Sequence, residues 1–298
     1  MFLGKFCKRD RIINQNLKFK IKILILNWNG KNDTIQCLES LEKQLNLNQS
    51  ILLIDNGSTD GSVSKISKLF PNIEILQLRN NFGFSGGMNK GLNHLKKDKP
   101  DFVIFMNNDI IASDSFLEKL LNGINQYGKN NILSPLICYH SDKNKIWYGG
   151  GQIKLWRGKI THSYIRKKIS DLNMKSYEIT DYVSGCCLAI SWDLINKLNG
   201  FNESFNMYSE DVDLCIRAKK LNAKCYVVTE SVIWHKISKS IGGNLSFKKN
   251  LRKLRSTIKL INLHSNFFNK LTGILGLVII SIIHLPKILI HNSRKKHE

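Results

Sequence analysis

The sequence predicts an α/β protein in which helices cover both faces of a mostly parallel sheet. Short apolar runs alternate with amphipathic stretches through the first 110 residues. This alternation implies right-handed crossovers between parallel strands. Each run ends in polar, turn-forming residues. Because ligands bind beyond the carboxyl ends of the strands in such sheets, these polar ends are the first candidates for a site.

The predicted strands of the first half are runs of four to six mostly apolar residues, typical of strands buried on both faces. They are Ile21–Leu26, Ile51–Ile54, Ile73–Leu78 and Phe102–Met106. The helices between them are predicted from apolar residues that recur with a helical period. They are Asp33–Leu45, Val63–Leu69 and Met88–Lys96.

The pattern beyond residue 130 is less regular. We expect helices over Asp193–Leu198 and Val212–Leu221 and a late strand over Cys225–Val228. At 298 residues the chain is long enough for one large domain. The predicted organisation is an N-terminal extension over residues 1–20, a main domain over 21–240 and a basic, apolar helical region over 241–298.

The charge balance is strongly basic, with 45 Lys and Arg against 23 Asp and Glu and a net charge of +22. Such a chain is attracted to nucleic acid, anionic lipid or phosphorylated small molecules. The alternative is that the composition is simply rich in lysine, which gives a solvated basic surface and implies no particular partner. A hydrophobic content of 42% excludes a disordered chain.

The seven cysteines form no Cys-x-x-Cys pair, and Cys186-Cys187 lie in an apolar run. They are expected to be buried thiols in a reducing compartment. The first residues contain no apolar stretch of signal-peptide length, so a cytoplasmic protein is expected.

Two polar segments follow predicted strands. The first, Asp55-Asn56-Gly57-Ser58-Thr59-Asp60-Gly61, offers a carboxylate for a nucleobase or ribose. The alternative is an Asx-rich turn with a helix N-cap at Ser58 or Thr59. The second, Asn81-Phe82-Gly83-Phe84-Ser85-Gly86-Gly87-Met88-Asn89, is either a phosphate-binding loop opening a helix or a tight turn.

Two further clusters carry acidic groups. Asn107-Asn108-Asp109 ends a strand and offers oxygen ligands of the kind Mg²⁺ or Mn²⁺ prefers, but one carboxylate needs help from elsewhere. His235 is either such a ligand or an ordinary polar histidine. Glu210-Asp211-Val212-Asp213 either supplies a general base or stabilises a helix N-terminus.

Taken in order, these segments resemble those of the family 2 glycosyltransferases, in particular the bacterial rhamnosyltransferase-like branch. The resemblance spans residues 21 to 240. It rests on Leu26-Asn27-Trp28-Asn29-Gly30, Ile54 to Gly61, Asn81 to Asn89, Asn107-Asn108-Asp109, Phe201-Asn202-Glu203-Ser204-Phe205 and Glu210-Asp211-Val212-Asp213-Leu214.

The resemblance implies a GT-A fold, with a nucleotide-sugar-binding half over residues 21–110 and an acceptor-binding half over 111–240. It assigns the nucleotide and donor pocket to Asn27, Asn29, Asp55, Asn56, Asn81, Gly86, Asn89 and Asn108. It assigns a Mg²⁺ or Mn²⁺ ion to Asn107, Asp109 and His235, with an amide at the first position of the family's Asp-x-Asp motif. The catalytic base is Asp211, with Glu210 beside it.

The implied reaction is inverting transfer of rhamnose or another hexose from a dTDP- or UDP-sugar. The implied acceptor is a glycan or lipid-linked oligosaccharide of cell-surface polysaccharide synthesis. One alternative is a catalytically inactive sugar-nucleotide-binding homologue, because Asn107 replaces a carboxylate. The other is a basic nucleic-acid-binding protein, which is disfavoured because no nucleic-acid-reading motif is present.

The C-terminal region is the most apolar part of the chain. Leu271–Leu285 has 15 residues, whereas a spanning helix needs about 20, and Pro286 and Lys287 follow it. We expect a helix that lies in the membrane surface or re-enters it; the alternative is a core helix. The basic run preceding it fits anionic lipid head groups or a lipid-linked pyrophosphate. Its members are Lys248, Lys249, Arg252, Lys253 and Arg255. A peripheral position at the inner face of the cell membrane follows.

Overall fold

The computed structural model describes residues 19–205, 207–236 and 247–294, and it describes side chains within 247–294 only from 250 to 282. Nearly all of the predicted N-terminal extension, and the side chains of Lys248 and Lys249, lie outside the described residues. The six cysteines within them are all free and buried, as expected.

The described residues form a ten-stranded sheet at the core and a separate two-stranded hairpin. The strands are β1 (Ile21–Asn27), β2 (Gln49–Asp55), β3 (Glu74–Gln77), β4 (Phe102–Asn107), β5 (Ile110–Ala112), β6 (Ile132–Tyr139), β7 (Asp142–Tyr148), β8 (Gly151–Lys154), β9 (Lys159–His162), β10 (Tyr177–Thr180), β11 (Cys187–Ser191) and β12 (Cys225–His235). The hairpin is β8–β9.

The sheet order is β10-β12-β6-β11-β4-β1-β2-β3, with β5 paired to β12 and β7 to β6. The half formed by β3, β2, β1 and β4 is parallel. Strand β11 joins β4 to β6 and is antiparallel to both. The parallel half therefore presents several strand ends on one edge, which is where a ligand site is expected.

The helices are α1 (Lys31–Glu42), α2 (Ser62–Leu69), α3 (Gly83–His94), α4 (Phe116–Tyr127), α5 (Trp192–Lys197), α6 (Glu210–Lys219), α7 (Phe247–His264) and α8 (Phe267–Arg294). Each predicted helix and strand is present, with ends that differ from prediction by a few residues. The exception is β12, which continues to His235 through a register shift after Val228. The alternative of an N-cap at Ser58 or Thr59 is wrong, because α2 begins at Ser62 after Gly61.

Helix α3 begins earlier than predicted. The glycine-rich segment was expected to be a loop or turn, but it is helical from Gly83. The reason is close packing against the sheet. A Cβ at Gly87 would lie 2.6 Å from Leu26 Cδ1, and one at Gly91 would lie 2.3 Å from Ile54 Cδ1. Contact with β1 and β2 outweighs the low helix propensity of glycine, about 1 kcal/mol per residue.

The C-terminal region folds back on the main domain. Helix α7 contacts α8, and α8 packs on the short 3₁₀ turn Leu155–Arg157. Helix α8 continues through Pro286 to Arg294. Within the described ranges, every helix falls short of the length and apolar character that crossing a bilayer requires.

Candidate active site at the carboxyl edge of the sheet

The ends of β1, β2 and β4 meet because the three strands are adjacent and in register. Asn27 is the partner of Asp55, and Leu26 is the partner of Asn107. Three of the polar segments selected from the sequence therefore lie at one edge of the sheet.

Asn27 organises this edge from inside the protein. It is fully buried. Its Nδ2 donates to Asp55 Oδ1 at 2.9 Å, to Ser62 Oγ at 2.9 Å and to Ser58 Oγ at 3.1 Å. The second oxygen of the equally buried Asp55 accepts from the Ser58 backbone N–H at 3.1 Å. This amide and carboxylate hold the β1 and β2 ends together.

The side-chain oxygen of Asn27 also accepts three hydrogen bonds. It accepts from Thr34 Oγ1 at 2.8 Å, from Gly30 N at 3.2 Å and from Asn108 Nδ2 at 3.2 Å. Asn108 also donates to Thr34 Oγ1 at 2.9 Å, so its side chain turns back toward α1. These contacts shape the edge and join β4 to it.

Asn29 occupies the solvent side of the same edge. Its φ of 50° is left-handed, a conformation that Asn tolerates better than most residues. Its Oδ1 accepts from the Thr59 backbone N–H at 2.7 Å, and its own N–H donates to Ser58 Oγ at 2.9 Å. The neighbouring Trp28 ring is 56% exposed, which leaves an aromatic face beside the β1 and β2 turns.

Asn56 connects β2 to the start of α3. Its Nδ2 donates to Asn81 Oδ1 and to the Gly83 carbonyl, both at 3.0 Å, and its Oδ1 accepts from Phe82 N at 3.0 Å. Asn81 also accepts from Gly83 N at 2.8 Å. The first turn of α3 is thereby fixed against the end of β2.

Asn89 and Gly86 lie on the side of α3 that meets the loop after α5. Asn89 Nδ2 donates to the Phe201 carbonyl at 2.8 Å and to Glu203 Oε1 at 2.9 Å, and its Oδ1 accepts from Phe201 N at 2.9 Å. A Cβ on Gly86 would lie 2.9 Å from Phe82 Cβ and 3.8 Å from Glu203 Oε2. This face of α3 therefore supports the chain that leads to α6.

Asp109 and His235 are brought together although they lie 126 residues apart. Their side chains approach to 3.2 Å between Oδ2 and Nε2, with 15% and 11% exposed. Strand β5 follows Asp109 directly and pairs with the end of β12, where His235 lies opposite Ile110. The Trp147 ring packs edge-on against the imidazole, 4.7 Å between centroids.

These two side chains are the ones that could hold a divalent cation together with phosphate and water. Mg²⁺ and Mn²⁺ sites commonly use one or two protein ligands, the remainder coming from substrate and solvent. Among the described side chains no group of three His, Cys, Asp or Glu is placed to hold a metal. Asn107, half-buried at the end of β4, is the further oxygen donor assigned from the sequence.

The acid pair Glu210-Asp211 begins α6. Asp211 Oδ2 accepts from Gly185 N and its Oδ1 from Val212 N, both at 2.8 Å. Burial raises the pKa of Asp211 despite these bonds. Burial, followed by the charge of Asp211, raises the pKa of Glu210 to about 8. Glu210 Oε2 is buried without a hydrogen-bond partner among the described residues.

The turn that delivers this pair is strained. Tyr208 and Ser209, directly before α6, have φ of 71° and 70°. Left-handed backbone at a residue other than glycine costs about 1–3 kcal/mol and clusters at functional sites. The strain is consistent with a turn that is held in place to aim the two carboxylates.

The acid pair and the Asp109–His235 pair are joined by one short segment. The Cys186 carbonyl accepts from Asn107 N at 2.9 Å, and the adjacent Gly185 N–H donates to Asp211. Burial and then the nearby Asp109 raise the pKa of the Cys186 thiol, and Asp211 adds to the shift. The carboxylates of Asp109 and Asp211 therefore both lie close enough to the buried Cys186 thiol to affect its pKa.

Asp213 has a different environment from its two acidic neighbours. It is 1% exposed and bonds Arg217 Nε at 2.7 Å and His264 Nε2 at 2.8 Å. Burial alone would raise the pKa of Asp213, but these two partners outweigh it and the pKa is lowered. Arg217 also donates to the Leu198 and Gly200 carbonyls. Asp213 anchors α6 to α7 and to the preceding loop.

Several residues of the site gave no signal in the sequence. They are Thr34, Ser62, Trp147, Gly185 and Lys236, the last bonding Asp33 Oδ1 at 2.7 Å. Their contacts join positions far apart in the chain.

Solved structures of other proteins show which fold the chain has. The structure of GalNAc-T7 with UDP, GalNAc and Mn²⁺ superimposes with a TM-score of 0.67, 14% identity and coverage of 84% of this chain and 49% of that chain. The mannosyltransferase PcManGT from Pyrobaculum calidifontis, solved with GDP-Man and Mn²⁺, superimposes with a TM-score of 0.59 and 13% identity. That match covers 94% of this chain and 75% of the other. At these identities the likeness establishes the fold, which is GT-A.

The sequence then places the chain within that class. The family model of Glycosyl transferase family 2 matches residues 22–192, more than half of the chain, and the protein belongs to this family. The expected family and fold are confirmed.

Curated relatives cover a similar part of the chain. The N-acetylglucosaminyl-diphospho-decaprenol L-rhamnosyltransferase of Mycobacterium tuberculosis is 29% identical over 208 residues, 63% of this chain and 66% of the relative, just under two thirds of its length. The low-salt glycan biosynthesis hexosyltransferase Agl10 of Haloferax volcanii is 23% identical, and the match covers 75% of this chain and 71% of the relative. Rhamnosyltransferase WbbL of Escherichia coli K12 is 24% identical, and the match covers 49% of this chain and 58% of the relative.

Proposed function

We propose that this protein is an inverting hexosyltransferase that moves a sugar from a nucleoside-diphosphate sugar to a glycan or lipid-linked acceptor in cell-surface polysaccharide synthesis. One observation carries the proposal. Segment 185–186 hydrogen-bonds both the end of β4, next to Asp109, and Asp211. The Asp109–His235 pair, which we assign to a cation, and the half-buried carboxylates Glu210 and Asp211 are thus held by one segment, as transfer from a diphosphate to a hydroxyl requires.

The donor side of the site is formed by the ends of β1, β2 and β4. The nucleotide is assigned to the edge organised by Asn27, Asp55 and Asn56, with Asn29 on its solvent side. The diphosphate is assigned to the neighbourhood of Asp109 and His235. A bound Mg²⁺ or Mn²⁺ ion would offset the charge that develops on the departing diphosphate.

The acceptor side is assigned to the start of α6. Asp211 takes the proton of the acceptor hydroxyl as the oxygen attacks the anomeric carbon from the face opposite the leaving group. One displacement of this kind inverts the anomeric configuration. A pKa raised by burial suits a base that works near neutral pH, because a stronger base accepts the proton more readily.

The sugar and its carrier are the finer part of the proposal. Rhamnose from a dTDP-sugar is the first candidate, because relatives in M. tuberculosis and E. coli carry the name rhamnosyltransferase. UDP-hexoses are the second. The enzyme would work in the cytoplasm, peripherally at the inner face of the cell membrane, where a lipid-linked acceptor is accessible.

Thermal unfolding with a panel of dTDP-, UDP- and GDP-sugars, with and without Mn²⁺, tests the donor site. A ligand at about 100 times its dissociation constant stabilises the folded state by about 2.7 kcal/mol. The true donor should raise the melting temperature in the presence of Mn²⁺, and Asp109→Asn should remove that increase. Asp114→Asn, at an exposed acidic position nearby in the chain, should keep it.

Turnover separates the enzyme from an inactive homologue. Asp211→Asn should retain the donor-dependent increase in melting temperature and lose transfer and donor hydrolysis. A wild-type protein that binds the donor and releases no nucleoside diphosphate would be the inactive homologue. Hydrolysis left intact by both Asp109→Asn and Asp211→Asn would remove these residues from the site.

A further inference from the structure

Helix α8 has an apolar face that the rest of the described protein leaves uncovered. Phe267, Leu271, Ile274, Val278 and Ile282 recur every three or four residues and are 40–76% exposed, as are apolar neighbours beside them. Residues at this spacing form one stripe along a helix. A continuous apolar stripe of this length marks an interaction surface.

The opposite side of α8 is packed against the protein. A Cβ on Gly273 would lie 2.3 Å from the Leu155 carbonyl oxygen, and one on Gly276 would lie 2.4 Å from that of Arg157. Leu277 is 8% exposed on the same side. The helix is therefore held by its small residues, and its large apolar side chains are directed away from the contact.

The charged Lys, Arg, Asp and Glu residues of helices α7 and α8 are all of one sign. Residues 247–294 contain nine Lys and Arg and no Asp or Glu. Helix α7, which packs on α8, exposes Arg252 and Arg255. An apolar stripe beside cations is the composition of helices that lie in the interface of an anionic bilayer.

This charge also argues against a second copy of the chain as the occupant. A symmetric interface would bring two such cationic regions together. Like charges at an interface oppose association, whereas anionic lipid head groups attract them.

Helix α7 connects this surface to the catalytic carboxylates. Its His264 bonds Asp213 of α6 at 2.8 Å. Its Lys259 donates to the Ser204 carbonyl at 2.6 Å, and its Ser256 donates to that of Met207 at 3.1 Å. These contacts hold the segments on both sides of residue 206 and the first turn of α6. A surface that docks through α8 thus has a set position relative to the acid pair.

We infer that the exposed apolar face of α8, with the cations of α7, docks the protein on the surface of an anionic bilayer. The docked protein holds the start of α6 at a fixed position relative to the lipid head groups. This orientation rests on the proposed transfer to a lipid-linked acceptor, whereas the docking surface itself does not.

Co-sedimentation with phosphatidylcholine vesicles, with and without phosphatidylglycerol, tests the surface. The full chain should bind the phosphatidylglycerol vesicles, and salt should weaken that binding. The double variant Leu271→Glu/Leu275→Glu should bind at least about tenfold more weakly, because two charges replace apolar side chains at the interface. Its melting temperature should match that of the wild type, since both positions are 60–65% exposed.

The matched control is Leu47→Glu/Leu69→Glu, which places the same charges on exposed leucines elsewhere in the domain. It should bind vesicles like the wild type. Arg252→Glu/Arg255→Glu provides an independent variant and should reduce the preference for phosphatidylglycerol. Donor-induced stabilisation should persist in all three variants.

Three outcomes would overturn the inference. They are a wild type that ignores phosphatidylglycerol vesicles, equal vesicle binding by the α8 variant and the control, and a stable dimer in sedimentation that the α8 variant dissociates. Vesicle binding without donor-dependent stabilisation or turnover would instead contradict the proposed function and leave the docking surface standing.

Discussion

Replacing Glu210 with glutamine should stabilise the folded protein at alkaline pH and change its stability little at pH 5. Burial and the adjacent Asp211 raise the pKa of Glu210 from 4.5 to about 8. A carboxyl group whose folded-state pKa is raised favours folding fully only below its unfolded pKa. That contribution is lost as the pH rises from about 4.5 to about 8. Glutamine stays neutral and avoids the loss.

The size of the effect follows from the shift. From 4.5 to about 8 is about 3.5 pKa units, and at 1.36 kcal/mol per unit the ionised group would cost about 5 kcal/mol. Glu210 and Asp211 titrate as a pair, so we assign about half of this, 2–3 kcal/mol, to Glu210. For a domain of this size that corresponds to an increase in melting temperature of about 4–6 °C at pH 9.

Urea and thermal denaturation of wild type and Glu210→Gln at pH 5, 7 and 9 would measure it. Glu39→Gln, at an exposed position of α1, is the control and should follow the wild type at each pH. A Glu210→Gln variant that is no more stable than the wild type at pH 9 would refute the buried acid pair. Equal stabilisation at pH 5 and pH 9 would refute its electrostatic origin.

Two further predictions concern the framework of the site. Asp213→Asn should destabilise the fold by about 2–4 kcal/mol in urea denaturation, because it leaves the Arg217 guanidinium without its buried carboxylate; unchanged stability would contradict the anchoring role. Gly91→Ala should cost about 1–2 kcal/mol although alanine favours helices, since its Cβ would lie 2.3 Å from Ile54 Cδ1. Asn93→Ala, exposed on the same helix, should not destabilise, and equal effects of the two alanines would show that the contact with β2 is unimportant.

Much of the first half could be predicted from the sequence, because its signals are local. A run such as Ile21–Leu26 can bury its side chains only as a strand or a short helix, and the turn residues that follow it exclude a long helix. The start of α3 could not be predicted this way. Gly86 and Gly87 are typical of a loop by propensity, whereas α3 includes both and packs on the sheet at Gly87 and Gly91.

The acidic cluster Glu210–Asp213 likewise shows what local sequence can predict and what it cannot. Asp211 and Asp213 lie two residues apart and have the same local context. The fold gives Asp213 an arginine and a histidine as hydrogen-bond partners and a lowered pKa, whereas Asp211 has backbone donors, Glu210 beside it and a raised pKa. Their different environments depend on groups more than 25 residues away, namely the Gly185 backbone N–H and the His264 imidazole. Local pattern therefore identified the cluster, and the fold distinguished its members.

The sequence by itself determined the alternation of strands and helices and the polar residues at the strand ends, because periodicity and turn chemistry act between near neighbours. The ordered set of motifs indicated the family. The tertiary structure decided how distant residues meet. It placed His235 beside Asp109 across 126 residues, and it directed the large apolar side chains of α8 outward. The physical reason is that contacts between distant segments follow from strand order and from how helices pack, which local sequence does not encode.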